Sequence, residues 1–200
     1  MTIAVIYELK DREVWNRAGG GNLLEVRMAK IVHPKPAGPA DAKQIAAFEK
    51  HIGHALPTAY RDFLLKYNGG QPEPDAFVLR TDMDEMENVV MCFFPLRDLS
   101  IGKVEVEELE ELRTWPLHCA WDDLQNDLEN LYETELDPPL LPIGTDGSSN
   151  YISIVLAGKK AGAVVFLDHE TAEDWPLAES FPAFLDSLRV RERTDYADDL

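Results

Sequence analysis

Apolar residues recur at helical spacing twice in the first half of the chain. Asp41 is suited to cap the first run, Gln44 is placed to complete a capping box, and Gly53 is suited to end it. The second run follows Pro57 and stops at residues 68–70, whose Asn-Gly-Gly sequence tolerates left-handed backbone. The pattern predicts two short helices that pack against each other. Their apolar faces consist of Ile45, Phe48, Ile52, Tyr60, Phe63, Leu64 and Tyr67.

Beyond residue 75 the pattern becomes typical of strands. Residues 76–79 are a short apolar run, and residues 89–96 are a continuous one that predicts a strand buried on both faces. Between these two runs, residues 81–88 are acidic and are predicted to form an exposed turn.

Further strands are predicted in the second half, and a helix follows them. Residues 140–143 begin a strand, and residues 151–156 and 163–167 predict a hairpin. The apolar face of the last helix consists of Phe181, Phe184, Leu185 and Leu188. This order of elements indicates an α+β fold, with a mainly antiparallel sheet of about five or six strands packed with helices on its N- and C-terminal sides.

The chain divides into a main body and additions to it. Residues 1–40 are predicted to be an N-terminal extension with strand-like segments, one of them at residues 23–32. Residues 41–190 are predicted to be the main domain, which carries an acidic helical insertion at about residues 100–139. Residues 191–200 are predicted to be a frayed acidic tail.

The net charge of the 200-residue chain is −18, from 19 basic and 37 acidic residues. A polyanion would be repelled, so nucleic acid is not expected as a direct ligand. A basic protein partner is favoured on the same ground. The alternative is that the acidic residues serve solubility alone.

Targeting and membrane signals are absent from the pattern. The chain starts without a basic segment, and its first apolar stretch is short for a signal peptide. The apolar run at residues 89–96 is far below the ~20 residues that a membrane helix needs. Cys92 and Cys119 cannot form a disulfide framework. We therefore expect a cytoplasmic protein with no membrane partner.

The motifs of catalysis and cofactor binding are not present either. Ser148 and Ser149 lack the Gly-x-Ser-x-Gly frame of a nucleophile elbow, and the histidines and cysteines lack metal-ligand spacing. The glycines at residues 19–21 are not followed by the Lys-Ser/Thr of a phosphate-binding loop. We expect no catalytic residue, no metal and no cofactor.

Two segments resemble the signatures of the SMI1/KNR4 (SUKH) family. Residues 48–70 show a helix, a Leu-Pro entry, an aromatic-rich helix and Asn-Gly-Gly, and residues 141–150 resemble the second signature. A strand pair and the stretch at residues 164–170 follow, and the resemblance extends over roughly residues 41–190.

The resemblance implies a binding protein rather than an enzyme. Bacterial members resemble immunity proteins that neutralise toxin domains, often nucleases, and fungal members resemble regulatory scaffolds of cell-wall signalling. Both roles remain open for this chain, with the immunity role first. A carboxylate-dependent hydrolase is the third and weakest reading.

An acidic segment supplies the candidate contact surface. Residues 101–140 hold twelve acidic residues against two basic ones, and tryptophans lie among them. Residues 104–112 and 122–132 are predicted to be helices. Such a surface suits a basic partner, and the alternative is a solvated helix face with its tryptophans in the core. The candidate partner-binding residues are Asp84, Glu85, Glu107, Glu108, Glu110, Glu111, Trp115, Trp121, Asp122 and Asp123.

Overall fold

The computed structural model describes residues 29–32, 38–100, 115–130, 136–146 and 148–191. Its helices are α1 (Ala42–Ile52), α2 (Thr58–Lys66), α3 (Leu117–Asn130) and α4 (Phe181–Ser187). Its strands are β1 (Lys30–Val32), β2 (Gln71–Glu73), β3 (Ala76–Arg80), β4 (Glu85–Val89), β5 (Cys92–Phe93), β6 (Leu140–Thr145), β7 (Tyr151–Val155), β8 (Val164–Leu167) and β9 (Asp174–Ala178). The helix predicted over residues 104–112 lies outside the described residues, as do residues 1–28 and 192–200.

The two helices predicted at residues 41–70 are confirmed. Asp41 caps α1, because its side chain accepts hydrogen bonds from Lys43 N at 2.7 Å and Gln44 N at 2.8 Å. Gln44 Oε1 accepts a hydrogen bond from Asp41 N at 2.9 Å, which completes the capping box. Gly53 ends α1 with a φ of 73°, in the left-handed region. The buried face of α2 consists of Tyr60, Phe63 and Leu64.

A five-stranded antiparallel sheet, in the spatial order β5-β6-β7-β8-β9, forms the centre of the α+β fold. One face of β7 and β8 joins the main core with α1, α2 and α4, through Ile152, Ile154, Val164 and Phe166. The other face is covered by α3, whose Leu124 and Leu128 cluster with Leu140, Val155, Val165 and Leu167. Because helices cover both faces, β8 is apolar at every position.

The apolar run at residues 89–96 is largely buried, but its regular strand, β5, is limited to Cys92–Phe93. Pro95 has no N–H for a further ladder hydrogen bond. The N–H of Leu96 donates instead to Asn68 Oδ1 at 2.7 Å. The run therefore stays largely buried, but after β5 the backbone N–H of Leu96 is satisfied by a side chain instead of a neighbouring strand.

The prediction that residues 81–88 form a turn is wrong in its second half. Glu85–Val89 is β4, which pairs antiparallel with β3 and places Glu85 opposite Arg80. β4 is a largely exposed strand of a two-stranded ribbon, so its sequence, Glu-Met-Glu-Asn-Val, lacks a buried apolar row. The sequence pattern of such a strand resembles that of an exposed loop.

Two more strands, β2 and β9, and the start of α3 were not predicted, whereas β1 lies at the end of the strand-like segment predicted at residues 23–32. β1 pairs with β2, and the pairing brings Ile31 opposite Pro72. β9 is a half-exposed edge strand of the main sheet. α3 begins at Leu117 instead of residue 122, because its first residues are all buried and show no amphipathic alternation. None of the described helices is long and apolar enough to cross a membrane.

Candidate partner-binding surface

The tip of the β3–β4 hairpin, residues 81–84, is a closed turn. Thr81 N donates a hydrogen bond to Asp84 O at 2.9 Å. Thr81 Oγ1 accepts hydrogen bonds from Met83 N at 3.3 Å and from Asp84 N at 3.1 Å. A hydroxyl at this position therefore fixes the turn by side-chain bonds to the backbone.

The core holds the hairpin through one of its two faces. The Phe77 ring lies 6.2 Å from the Phe166 ring and 5.9 Å from the Phe184 ring, and Leu79 is also buried. The register of the two strands puts Leu79 opposite Met86, so Met86 continues this row outward. The opposite face carries the ion pair between Arg80 Nε and Glu85 Oε2, at 2.8 Å.

Two methionines of the hairpin are exposed among carboxylates. The Met83 side chain is 95% exposed and Met86 is 46% exposed. Asp82 and Asp84, on either side of Met83, form no ion pair with any other described residue. The tip thus presents an apolar side chain between two negative charges that no described cation neutralises. Sequence reasoning found Asp84 and Glu85 but missed the methionines, whose signal was an isolated apolar residue in an acidic stretch.

Two arginines neutralise the acids at the base of the hairpin. Arg191 Nε and Nη2 donate to the two carboxylate oxygens of Asp75, at 3.1 and 2.5 Å. These hydrogen bonds are the main reason why the pKa of Arg191 lies above its usual value. Arg189 Nη2 lies 3.2 Å from Glu87 Oε2, and the Arg189 backbone exchanges hydrogen bonds with Ala76 at 2.8 and 3.0 Å. Within the hairpin, the carboxylates that pair with no described cation are therefore those of the tip, Asp82 and Asp84.

α3 is the second acidic element. It contains no Lys or Arg. His51 Nε2 of α1 lies 2.8 Å from Asp122 Oδ1 and links the two helices. Towards the end of α3, Asp127 and Glu129 form no ion pair with any described residue. The carboxylates of this helix are Asp122, Asp123, Asp127 and Glu129.

The two candidate tryptophans lie in or against the core. Trp121 is only 8% exposed, with its ring 6.5 Å from the His54 ring. Trp115 is partly buried and packs against the main core. Of the other candidates, Asp122 is exposed and Asp123 is partly buried, whereas Glu107, Glu108, Glu110 and Glu111 lie outside the described residues. The described surface of the acidic segment is thus carboxylate-rich, while its tryptophans serve packing.

The hairpin and the later part of α3 do not form one surface. Phe77 ties the hairpin to the sheet face that packs with α4, whereas Leu128 of α3 packs on the opposite face. The structure therefore separates Asp84 and Glu85 from Asp127 and Glu129, the carboxylates of the later part of α3.

The loop between β6 and β7 contains a buried carboxylate with a structural role. Asp146 Oδ1 accepts hydrogen bonds from Ser148 N at 2.7 Å and Asn150 N at 3.0 Å. Asp146 Oδ2 accepts hydrogen bonds from the side-chain amides of Asn88 and Asn150, each at 3.0 Å. The carboxylate is satisfied by four donors and ties β4 to this loop. These four hydrogen bonds give the acidic residue of this loop a structural role.

No described group of His, Cys, Asp and Glu side chains has a metal-binding arrangement. A groove of about 640 Å³ runs beside the β7–β8 turn and β9. Its lining combines Lys159, Lys160 and Glu179 with Ala161, Ala163, Pro176, Leu177 and Ala178. This lining offers neither a nucleophile with an adjacent base nor converging carboxylates.

Comparison with known proteins gives two matches. The family model described as "SMI1 / KNR4 family (SUKH-1)" matches residues 39–187. The chain is also 30% identical over 151 residues to the SPbeta prophage-derived uncharacterized protein YokK of Bacillus subtilis (strain 168), an alignment that covers 73% of each chain.

Proposed function

The chain belongs to the SMI1/KNR4 family (SUKH-1), and from this premise we propose that it is an immunity protein that binds a cationic toxin domain and blocks its active site. The toxin domain is proposed to be a nuclease, and the encounter is proposed to take place in the cytoplasm. The family is generally non-enzymatic, which agrees with a role in binding.

One observation carries the proposal: carboxylates that pair with no described cation stand on both described acidic elements. Asp82 and Asp84 are exposed at the hairpin tip, and on α3 Glu129 is exposed and Asp127 is partly buried. A nuclease must hold a polyanion, so its cleft is cationic. Carboxylates on an immunity protein are complementary to such a cleft and compete for it with nucleic acid.

The proposed mechanism is occlusion, with separate contributions to the rates of association and dissociation. The net charge of −18 attracts a cationic domain, and such fields can raise association rates to ~10⁸ M⁻¹s⁻¹ at low salt. A slow dissociation rate requires apolar side chains that become buried in the contact. Fast capture suits a protein that must stop a toxin before it acts.

The relative from Bacillus subtilis is a bacterial, prophage-derived protein. This origin favours the bacterial immunity role over the regulatory scaffold role of fungal members. A scaffold would be expected to bind several cellular proteins with no effect on toxicity.

Co-expression with the toxin encoded beside the gene tests the proposal. We expect the chain to restore growth of cells that express the toxin domain and to co-purify with that domain at a fixed stoichiometry. Unrelieved growth inhibition together with no complex would refute the immunity role. A stable complex with cellular proteins and no relief of toxicity would favour the scaffold role.

A further inference from the structure

We propose that the tip of the β3–β4 hairpin is the part of the chain that enters the cationic cleft of the partner, with Met83 as its apolar anchor. This inference rests on the proposed immunity function and specifies which surface performs it. The hairpin tip makes the close contact, whereas the carboxylates of α3 contribute to long-range attraction.

Exposed apolar side chains are concentrated on the hairpin and on the segment attached to it. Among the described residues, five large apolar side chains are exposed, and Met83, Met86 and Val190 are three of them. Val190 is 79% exposed and lies between the two arginines that bind the base of the hairpin. An exposed apolar side chain that becomes buried in a contact is a source of binding free energy. Methionine suits this role because its flexible thioether adapts to an irregular recess.

The charges beside Met83 define the chemistry of the partner. Asp82 and Asp84 pair with no cation in the described part of the chain, whereas Glu85 is paired with Arg80 and Asp75 is held by Arg191. A partner surface that receives the tip must therefore supply at least one cation beside an apolar recess, because an unpaired carboxylate is costly to bury. A basic protein domain with a phosphate-binding cleft has this combination of features.

The hairpin is held in shape before binding. The Thr81 hydrogen bonds close the turn, and Phe77 anchors β3 in the core. Arg191 donates two hydrogen bonds to Asp75 at the base. A pre-ordered loop loses little conformational entropy when it binds, so more of the contact energy appears as affinity.

The outer edge of β4 disfavours binding by strand addition. Asp84 O accepts a backbone hydrogen bond from Thr81 N, and Val90 N donates one to Asp75 O. The alternation of the antiparallel ladder therefore directs the N–H groups of Glu85 and Val89 away from β3. Asp84 Oδ1 accepts a hydrogen bond from Glu85 N, and Asn88 Oδ1 accepts one from Val89 N, each at 2.7 Å. Side chains thus occupy two donors that an incoming strand would need. The tip is expected to bind through its side chains.

A pair of charge-matched variants tests the inference. The tip variant is Asp82→Asn/Met83→Gln/Asp84→Asn, in which the amide oxygen introduced at position 84 can still accept the hydrogen bond from Glu85 N. The control variant is Asp127→Asn/Glu129→Gln/Leu65→Gln, which removes two carboxylates and one exposed apolar side chain elsewhere. The ligand is a catalytically inactivated form of the toxin domain whose growth inhibition the wild-type chain relieves. Circular dichroism and thermal unfolding verify that both variants fold.

The dissociation rate, measured by surface plasmon resonance at physiological salt, is the readout. We expect the tip variant to dissociate faster by on the order of 10- to 100-fold, because it loses the buried anchor and its flanking charges. The control variant should change the dissociation rate by less than about 3-fold, since rim charges act mainly on association. Equal dissociation rates for the tip variant and the wild type would overturn the inference and leave the immunity function standing. Failure of the wild type to bind or to relieve toxicity would remove both.

Discussion

Asn68 and Leu96 exchange two hydrogen bonds in the buried core: Asn68 Nδ2 donates to Leu96 O at 3.0 Å, and Leu96 N donates to Asn68 Oδ1 at 2.7 Å. Asn68 Nδ2 also donates to Gly38 O at 2.8 Å. One side chain thereby joins the end of α2 to the chain after β5 and to the segment before α1. Asn68 has a φ of 55°, a backbone conformation that Asn tolerates better than most residues.

Asn68→Ala should lower the free energy of unfolding by about 2–4 kcal/mol, because it leaves buried backbone groups unsatisfied. Asn68→Gly is the matched control, since it removes the same hydrogen bonds but accepts the left-handed conformation. We expect the glycine variant to recover about 1 kcal/mol of the alanine loss. Urea unfolding monitored by circular dichroism measures both values. A loss of less than about 0.5 kcal/mol in Asn68→Ala would show that the three bonds contribute little.

Tyr60 provides a prediction about alkaline pH. Its hydroxyl is buried with no hydrogen-bond partner among the residues that the structure describes, and burial raises the pKa of the Tyr60 phenol far above its usual value. The unfolded chain therefore releases this proton near pH 10 while the folded chain retains it. Above about pH 10 the wild type should lose about 1.4 kcal/mol of stability per pH unit from this group, and below that pH the group has no pH-dependent effect.

Tyr60→Phe should remove this alkaline loss and should be as stable as the wild type, or up to ~1 kcal/mol more stable, at pH 7, because no hydrogen bond is lost. The difference between the two stability curves, from urea unfolding at pH 7 to 11, isolates the Tyr60 contribution. Tyr67→Phe, at a half-buried ring, is the control. Its stability should fall above pH 10 as that of the wild type does. Parallel curves for the wild type and Tyr60→Phe above pH 10 would contradict the prediction.

The elements with strong local signals could be predicted from the sequence. The cap at Asp41, the stop at Gly53 and the apolar faces of α1, α2 and α4 depend on interactions within a few residues. The β7–β8 hairpin was also predicted, because both strands are apolar and enclose a short turn. The antiparallel α+β fold and the family followed from these elements and from the two signatures.

The elements that the sequence did not reveal depend on tertiary surroundings. β4 and β9 are edge strands with little burial, and their polar residues resemble those of loops. Trp121 lies in a helix start that is buried on all sides, so periodicity could not decide whether its ring faced the core or a partner. The position of the hairpin on the sheet face opposite Leu128 required long-range packing that local patterns do not contain.

Both carboxylate oxygens of Asp146 accept hydrogen bonds, so replacing one of them should lower the stability of the fold. Asp146→Asn presents an amide nitrogen where the carboxylate accepts two donors, so we expect a loss of about 1–3 kcal/mol in unfolding free energy. Asp168→Asn is the control, because the described donors of that carboxylate, Glu170 N and Thr171 N, both bind Oδ1. The control should lose less than about 0.5 kcal/mol. Equal losses in the two variants would show that the second oxygen of Asp146 is unimportant.

Arg191 relates the base of the hairpin to the binding proposed at its tip. The guanidinium holds Asp75 by two hydrogen bonds, and the Arg191 side chain is 55% exposed whereas that of Asp75 is 16% exposed. Because solvent screens the exposed cation, the ion pair is expected to contribute no more than ~1 kcal/mol to global stability. Its local effect can be larger, since the hairpin is a two-stranded ribbon that is otherwise anchored by Phe77, Leu79, the Arg189 contacts and the hydrogen bond from Asn88 to Asp146.

Arg191→Gln should therefore leave the midpoint of global unfolding nearly unchanged while it speeds amide hydrogen exchange in β3 and β4, because the base of the ribbon opens more often. If pre-ordering of the tip contributes to binding, the same variant should weaken binding of the inactivated toxin domain by about 3- to 10-fold, even though it makes the net charge more negative and so favours attraction. Lys160→Gln, which removes one exposed cation at the β7–β8 turn, makes the same charge change away from the hairpin. It should bind at least as tightly as the wild type. Opposite effects of the two variants on affinity, together with faster exchange in β3 and β4 of Arg191→Gln, would assign the loss to the order of the hairpin, whereas equal effects would assign the change to charge alone.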